Sequence, residues 1–341
     1  MEAVRAVVAD LLGVAESSIL VALRTPLEHQ SNRLYDVWAD SQHFIAKEFS
    51  DKNPAESAER EIRSLKLLVP LDLAPRPVGS ADASDDRGPV VLYEFLEGDM
   101  WSRHRPSAGQ LRNLADAYVK INSIPPDGLW LAANMDVPLR YRVLSFHQVF
   151  DEYARWAEGF TPAQRPADLC MKLLEHLSGG AAMIEQARPV LLFCQTDGRF
   201  ANIIERPGGR IGFVDWEDGG LRDPGRQIAD LLMHPNQEDL LTLSDWAPFT
   251  EPYYSALLQR DPDIAERVHA YIPWFCIFWL ALIIYRSLKS VRKGEERQHS
   301  VNELSPDHRL RRYLARALAW PDDDFSQQLA NLADAQFFPA S

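Results

Sequence analysis

The sequence is poor in cysteine and lacks the motifs of several common enzyme classes. Its three cysteines, Cys170, Cys194 and Cys276, lie far apart and form no C-x-x-C pair. This spacing argues against a disulfide framework or a zinc cluster and suits a reducing compartment. There is no G-K dipeptide, G-x-G-x-x-G, H-E-x-x-H or G-x-S-x-G. The usual anchors of P-loop, dinucleotide-binding, zinc-peptidase and serine-hydrolase sites are therefore missing.

Long hydrophobic runs and basic runs are also lacking. The most apolar stretch, 271–285, is too short to span a bilayer and ends at Arg286. The N-terminus has helical periodicity, but Glu2 and Asp10 interrupt it and no cleavage site follows. The net charge of −13 disfavours nucleic-acid binding and gives a weak preference for a cationic partner. We expect a cytoplasmic monomer or homodimer with no membrane and no nucleic-acid partner.

The pattern of apolar residues changes near residue 98. With 46% apolar residues, the 341-residue chain can bury a large core. Before this point helical and strand-like patterns alternate, and after it they are mainly helical, apart from strands within 190–215. The polar segment 79–88 is interpreted as a loop. We predict an α+β fold with a small lobe at 1–97, containing helices at 1–18 and 54–69 and strands at 34–39, 43–49 and 88–95, and a larger lobe at 98–341.

The most informative segment is 194–224, which reads CQTDGRFANIIERPGGRIGFVDWEDGGLRDP. Two strand-like runs flank the turn signal at 206–210 and predict a β-hairpin. If the hairpin is centred on Gly208-Gly209, Asn202 lies opposite Asp215, and opposed Cβ atoms are about 5 Å apart. An amide oxygen and a carboxylate at that separation can share Mg²⁺. An ordinary surface hairpin with polar turn residues is the simpler interpretation of this pattern taken alone.

The spacing around this hairpin resembles that of a known family. D-x-x-x-x-N from Asp197 to Asn202, followed by a strand pair ending in Val-Asp-Trp, is similar to the catalytic and metal-binding segment of the aminoglycoside phosphotransferase/choline kinase-like family. The resemblance implies a two-lobed protein-kinase-like fold. It also implies transfer of the γ-phosphoryl group of ATP or GTP to a substrate hydroxyl, with Asp197 accepting or orienting the hydroxyl proton. Asn202 and Asp215 would hold Mg²⁺.

Arg199 lies two residues after Asp197, where protein kinases carry a lysine and this family often has His or Gly. We interpret Arg199 as a contact to the γ-phosphate; a surface-loop arginine is an equally good interpretation.

Two upstream residues match the family's phosphate-holding pair. Lys47 in FIAKEF resembles the strand lysine that holds the α- and β-phosphates. Its expected helix partner in EREIRSLKLL is Glu61, with Glu59 as the fallback. Taken alone, Lys47 would be an edge-strand lysine and Glu61 a solvated helix residue.

The nucleotide-covering loop and the hinge are also matched in order. LEHQSNRLYDV has Ser31 and Asn32 at the family's positions, although the usual glycines are absent. VVLYEFLEG resembles the hinge near 94–98, where the Glu94 carbonyl and the Leu96 amide would bind the purine. Because hinge contacts use backbone, an ordinary buried strand would be equally compatible.

Three positions depart from the family pattern. Gln195 stands in place of the histidine of H-x-D, Gln227 in place of an aspartate in the following helix, and Asn122 in place of a histidine. We hypothesise that Gln195 and Gln227 form an amide pair that replaces a His–Asp pair, because each amide both donates and accepts.

The sequence does not identify the molecule that accepts the phosphoryl group. The expected partner is a hydroxylated small molecule, cationic or aromatic, such as an aminoglycoside, nucleoside or glycoside antibiotic. A metabolite kinase for a sugar, amino alcohol or hydroxy amino acid and a nucleotide-binding pseudokinase module are the alternatives. A protein kinase is disfavoured because H-R-D, D-F-G and A-P-E are absent. The acceptor pocket is expected near two groups of residues, the aromatic Trp274, Trp279 and Tyr285 and the acidic Glu217, Asp218 and Asp223.

Overall fold

A computed structural model describes residues 1–25, 32–50, 53–101, 104–125, 190–237 and 240–293, together with Asp151, Arg155 and Gln327; for Asn236 and 280–293 it describes the backbone alone. The helices are α1 (Glu2–Leu12), α2 (Pro54–Leu68), α3 (Ala108–Asn122), α4 (Pro224–Met233), α5 (Ala247–Leu257) and α6 (Ile264–Lys293). The strands are β1 (Ile19–Leu23), β2 (Arg33–Ala39), β3 (Gln42–Glu48), β4 (Pro77–Ala81), β5 (Val90–Glu94), β6 (Asp99–Met100), β7 (Leu192–Cys194), β8 (Ile203–Arg206), β9 (Arg210–Phe213) and β10 (Gly220–Arg222).

The N-terminal part is built on a five-stranded antiparallel sheet in the order β1-β2-β3-β5-β4. Successive side chains of β3 point to opposite faces of this sheet. Phe44 and Ala46 pack into a core cluster shared with α1, whereas Ile45 belongs to the cluster that includes α2. Lys47 shares the face of Ile45, so the strand directs the lysine towards α2. The predicted α+β, two-lobed class is confirmed.

The edges of the N-terminal sheet differ from the sequence prediction. The first helix ends at Leu12, where Gly13 adopts the left-handed conformation with φ of 67°, and 16–18 form a separate 3-10 turn. Strand β1 was not predicted, and β4 occupies 77–81, partly within the segment interpreted as a loop. No residue of β4 is fully buried, so its sequence lacks the apolar alternation that marks a half-buried strand.

The larger part of the core lies after residue 100. Helix α3 packs against α5, and α4 packs against α6. Aromatic rings fill the space between these helices and the β8–β9 hairpin, among them Tyr118, Phe213, Trp216 and Phe249. Strand β6 pairs with β8, which ties the segment after β5 to the hairpin. Among the described residues, no helix is long and apolar enough to cross a membrane.

Gly98 provides a test of this connection. Its φ of 146° disfavours other residues, and a Cβ there would lie 2.3 Å from the Glu205 carbonyl oxygen. We predict that Gly98→Ala lowers the free energy of unfolding by about 2–4 kcal/mol. The matched control is Gly109→Ala, within α3. Apart from the backbone of the helix and the neighbouring residues, the nearest atom to its new Cβ is the Ser107 hydroxyl oxygen, 3.8 Å away. Urea denaturation should show the control unchanged or slightly more stable; equal losses in both variants would contradict this account.

Candidate active site

The β8–β9 hairpin has a register that differs from the predicted one by one residue. Arg206 pairs with Arg210, so the loop has three residues and is centred on Gly208 rather than between the two glycines. Asn202 therefore lies opposite Val214, whose amide donates to the Asn202 carbonyl at 3.0 Å. Asp215 follows one position later with φ of 66°, a left-handed conformation. The predicted opposition of Asn202 and Asp215 is wrong because the turn is a three-residue loop, 207–209, which shifts the pairing by one residue.

Asn202 and Asp215 are nevertheless brought together by a shared cation, Arg199. The Arg199 Nη2 atom lies 3.0 Å from Asp215 Oδ2, and Nε donates to Asn202 Oδ1 at 3.2 Å. The same Nε lies 3.1 Å from Asp197 Oδ2. One guanidinium thus contacts all three residues of the predicted catalytic and metal-binding set.

Lys47 reaches this cluster from β3. Its side chain is only 3% exposed, and Nζ lies 2.7 Å from Glu61 Oε2, 2.5 Å from Asp215 Oδ1 and 3.0 Å from Glu217 Oε2. Burial favours the neutral amine, but the three carboxylates outweigh it and raise the pKa of Lys47 well above its usual value. Glu59, the fallback partner, pairs instead with Arg63. Lys47 therefore joins β3, α2 and the segment after β9.

Asp197 lies beside this network and is about one-third exposed. Asn202 Nδ2 donates to Asp197 Oδ2 at 3.1 Å, while His234 Nε2 lies 3.8 Å from the other oxygen, Oδ1. Burial raises the pKa of Asp197 to about 6, assisted by Asp215 and opposed mainly by Arg199. A carboxyl group with this pKa is ionised at neutral pH and is more basic than an ordinary aspartate.

The donor atoms suit a hard divalent cation. Asp215 offers carboxylate oxygens and Asn202 an amide oxygen, which are the ligand types that Mg²⁺ takes in proteins. Burial raises the pKa of Asp215, but Lys47 and Arg199 outweigh it and hold the pKa below its usual value. Single carboxylate oxygens of Glu61, Asp215 and Glu217 also lie within 4.8 Å of one another, although Lys47 contacts all three. The residues present fit a magnesium site at Asn202 and Asp215.

A cavity of about 360 Å³ opens beside these charges. The predicted hinge residue Leu96 lines it, and Glu94 ends β5 between two lining residues, Tyr93 and Phe95. Close packing holds the hinge against the hairpin, since a Cβ at Gly212 would lie 2.6 Å from Leu96 Cδ2. The cavity lining thus includes both the predicted hinge residue Leu96 and the cations Lys47 and Arg199.

The loop that we predicted to cover the nucleotide is described only in part. Asn32 lines the cavity and donates a hydrogen bond to Glu217 Oε2, and its own Oδ1 accepts from the Ser50 amide at 3.1 Å. Ser31 lies outside the described residues. The contact between Asn32 and Glu217 was not foreseen, since nothing in local spacing relates residues so far apart in the chain.

The hypothesised Gln195–Gln227 amide pair is not formed. Gln195 Nε2 donates to the Val214 carbonyl at 2.8 Å, and Gln227 Oε1 accepts from Asn122 Nδ2 at 3.4 Å. The atoms that would complete the pair, Gln195 Oε1 and Gln227 Nε2, are buried and have no hydrogen-bond partner among the described residues. Asn122 also accepts from the Tyr253 hydroxyl at 2.7 Å. Two of the three departures therefore contact each other, whereas Gln195 supports the strand before Asp215.

The acidic and aromatic residues expected at the acceptor pocket do not form one group. Glu217 contacts Lys47, and the Asp218 carboxylate lies 3.6 Å from Arg60. Asp223 is 2% exposed and accepts hydrogen bonds from Gly225, Arg267 and Tyr271, a structural role at the start of α4. The three acids do not form one group because strand β10 separates Asp223 from the other two, and Glu217 and Asp218 contact different cations.

The aromatic residues are divided as well. Trp274 is a core residue at 2% exposure, while the side chain of Tyr285 lies outside the described set. Trp279 does lie near the catalytic segment. Its ring packs edge-on against His234, and its Nε1 donates to Asp230 Oδ1 at 3.0 Å. The sequence analysis did not single out His234 and Asp230. Asp230 lies on α4, and His234 follows the end of that helix, one turn later.

Comparison with known proteins assigns the chain to a phosphotransferase family. Residues 23–267 match the model of the phosphotransferase enzyme family, and the chain belongs to this family. Similar solved structures are a choline kinase from Cryptosporidium parvum (TM-score 0.60, 14% identity, 99% of this chain and 98% of that one) and an ethanolamine kinase from Plasmodium vivax (0.60, 13%, 92% and 85%). The streptomycin–ATP–APH(2")-IIa ternary complex is also similar (0.56, 13%, 85% and 94%). At these identities the structures establish the fold. No curated protein sequence matches.

Asp230 generates a prediction about stability and pH. It is 8% exposed, and burial raises its pKa to about 7, above the unfolded value of about 3.9. The folded state binds the proton more tightly, so this group destabilises the fold progressively from about pH 4 to about pH 7. Asp230→Asn keeps an oxygen for Trp279 and removes the titration. Relative to wild type, the variant should gain about 3–4 kcal/mol of unfolding free energy across this window.

Urea denaturation at both ends of the window measures this gain. Asp116→Asn makes the same change at an exposed position on α3; it is the matched control and should change the free energy of unfolding little. If the Asp230 variant and wild type changed in parallel with pH, Asp230 would not titrate as described.

Proposed function

We propose that the protein is a small-molecule kinase that transfers the γ-phosphoryl group of ATP or GTP to a substrate hydroxyl. The observation that carries this proposal is the continuous set of contacts from Lys47 through Asp215 and Arg199 to Asp197, at the end of a cavity lined by Leu96. Membership of the phosphotransferase family supports it. We further propose a nucleotide lobe at 1–97 and a catalytic and substrate lobe at 98–341, in a cytoplasmic protein.

The proposed roles follow from charge and position. Lys47, held by Glu61, would exchange its Asp215 and Glu217 contacts for the α- and β-phosphates. Asn202 and Asp215 would hold Mg²⁺, which when bound supplies neutralisation of phosphate charge. The base would lie at the hinge, with the Glu94 carbonyl and Leu96 amide as its partners, and Asn32 would cover the phosphates together with Ser31.

Asp197 would accept the proton of the acceptor hydroxyl. Its Oδ2 atom is engaged by Arg199 and Asn202, which leaves Oδ1, on the side of His234, to face the acceptor. The raised pKa of about 6 supports a role as proton acceptor at neutral pH. Arg199 would turn to the γ-phosphate once nucleotide is bound, because two of its present partners, Asn202 and Asp215, are the residues proposed to hold the metal.

For the acceptor, we propose a hydroxylated molecule with a cationic group, of the aminoglycoside or amino-alcohol kind. The net charge of −13 favours the approach of a cation. Asp230 and Trp279 offer a carboxylate and an aromatic ring near the catalytic aspartate. Two similar structures are named for choline and ethanolamine, and a third contains streptomycin. An uncharged nucleoside or glycoside antibiotic, or a sugar, is the competing acceptor.

Removing the Asp197 carboxylate tests the reaction itself. A panel of aminoglycosides, amino alcohols, nucleosides and sugars is assayed for phosphoryl transfer from labelled ATP and GTP with Mg²⁺. With the best acceptor, Asp197→Ala should lower kcat by at least about a hundredfold, since no base then accepts the hydroxyl proton. Nucleotide binding, followed by fluorescence titration, should change little.

Asp116→Ala, an exposed aspartate on α3, serves as the control and should retain full turnover. Normal transfer by the Asp197 variant would contradict the assigned role. Binding of nucleotide and Mg²⁺ without transfer to any acceptor by the wild type would favour the pseudokinase alternative.

A further inference from the structure

Arg199 occupies the position between the atoms proposed to hold the metal. Its guanidinium lies 3.0 Å from an Asp215 oxygen, 3.2 Å from the Asn202 amide oxygen and 3.1 Å from an Asp197 oxygen. Two of these oxygens, from Asp215 and Asn202, are the donors proposed for the divalent cation, and each already contacts a fixed positive charge. Arginine remains protonated in proteins, so the charge leaves these oxygens only if the side chain moves.

We infer that Arg199 makes the site selective for a metal–nucleotide complex over a free divalent cation. This inference rests on the metal role proposed for Asn202 and Asp215. Without nucleotide, a free metal ion would have to separate Arg199 from its partners and would meet its charge at close range. With nucleotide, the γ-phosphate offers Arg199 an anionic partner in exchange, and the two oxygens become available.

The surrounding charges support this selectivity. Among the described residues, Lys47 and Arg199 are the two cations in contact with Asp215, and together they engage Asp197, Glu61 and Glu217 as well. Lys47 is fixed at 3% exposure, whereas the side chain of Arg199 is 30% exposed. Of these two cations, Arg199 is the one with room to move. Metal and nucleotide should therefore bind with positive coupling, and Arg199 should carry a large part of it.

The test measures Mn²⁺ binding to the full chain by electron paramagnetic resonance, with and without a non-hydrolysable ATP analogue. Without nucleotide, Arg199→Ala should bind Mn²⁺ about tenfold more tightly than wild type, because a competing charge is removed. Arg199→Lys, which keeps the charge, should remain close to wild type. The analogue should strengthen Mn²⁺ binding to wild type and should do so less in Arg199→Ala. The kcat of the Arg199→Ala variant should fall although its affinity for Mn²⁺ rises.

Controls separate this inference from the proposed function. Arg105→Ala, which breaks an exposed ion pair with Asp245, should leave Mn²⁺ binding unchanged. If the Ala variant unfolds, Arg199→Met is used in its place, because methionine keeps an aliphatic side chain and removes the charge. Equal nucleotide-free Mn²⁺ affinity in wild type and in the Arg199→Ala or Arg199→Met variant would overturn the inference while leaving the kinase assignment intact. If Asp215→Asn left Mn²⁺ binding unaffected even with the analogue, the proposed metal site would fail, and the inference with it.

Discussion

The buried ammonium group of Lys47 is the constraint on which the site depends. A lysine at 3% exposure is costly unless it is paired, and its carboxylate partners among the described residues come from two places in the fold. Glu61 lies on α2, while Asp215 and Glu217 follow β9. The sheet, its helix and the catalytic hairpin must therefore adopt one mutual arrangement. The cavity beside this network follows from that arrangement, since its lining includes Ile45 and Lys47 from β3, Leu96 after β5 and Asp215 after β9.

An apolar frame holds the charged residues at fixed positions. Trp216, between Asp215 and Glu217, is fully buried and stacks on Phe193 of β7, with ring centroids 5.6 Å apart. Gln195 holds the Val214 carbonyl just before Asp215. These contacts fix the left-handed turn at Asp215, so its carboxylate faces Lys47 and Arg199. The ionic contacts are easier to exchange than this frame, because phosphates and a metal offer equivalent charges. The apolar frame thus fixes the positions of the charged side chains, and these side chains form a site that can accept anionic ligands.

Much of this arrangement could be predicted from the sequence, and the failures have physical causes. Strands β2, β3 and β5 and helix α2 have clear apolar periodicity, and the spacing of Asp197, Asn202 and Asp215 indicated the family. The hairpin register was misplaced by one residue because two adjacent glycines permit two loop lengths. The destinations of Glu217 and Asp223 could not be predicted, because Lys47 and Arg267 lie far from them in the chain. His234 and Asp230 could not be predicted either, because they are distant from Asp197 in the sequence and only the fold places them near it.

The central claim is that the network around Lys47 and Asp215 is a nucleotide–metal site whose ionic contacts are exchanged on binding. A crystal structure with Mg²⁺ and a non-hydrolysable ATP analogue tests it most directly. The account predicts the base beside Leu96, Lys47 on the phosphates, and the metal at about 2.1 Å from oxygens of Asn202 and Asp215. Nucleotide bound elsewhere, or Lys47 and Arg199 both still paired with Asp215 in the complex, would contradict it.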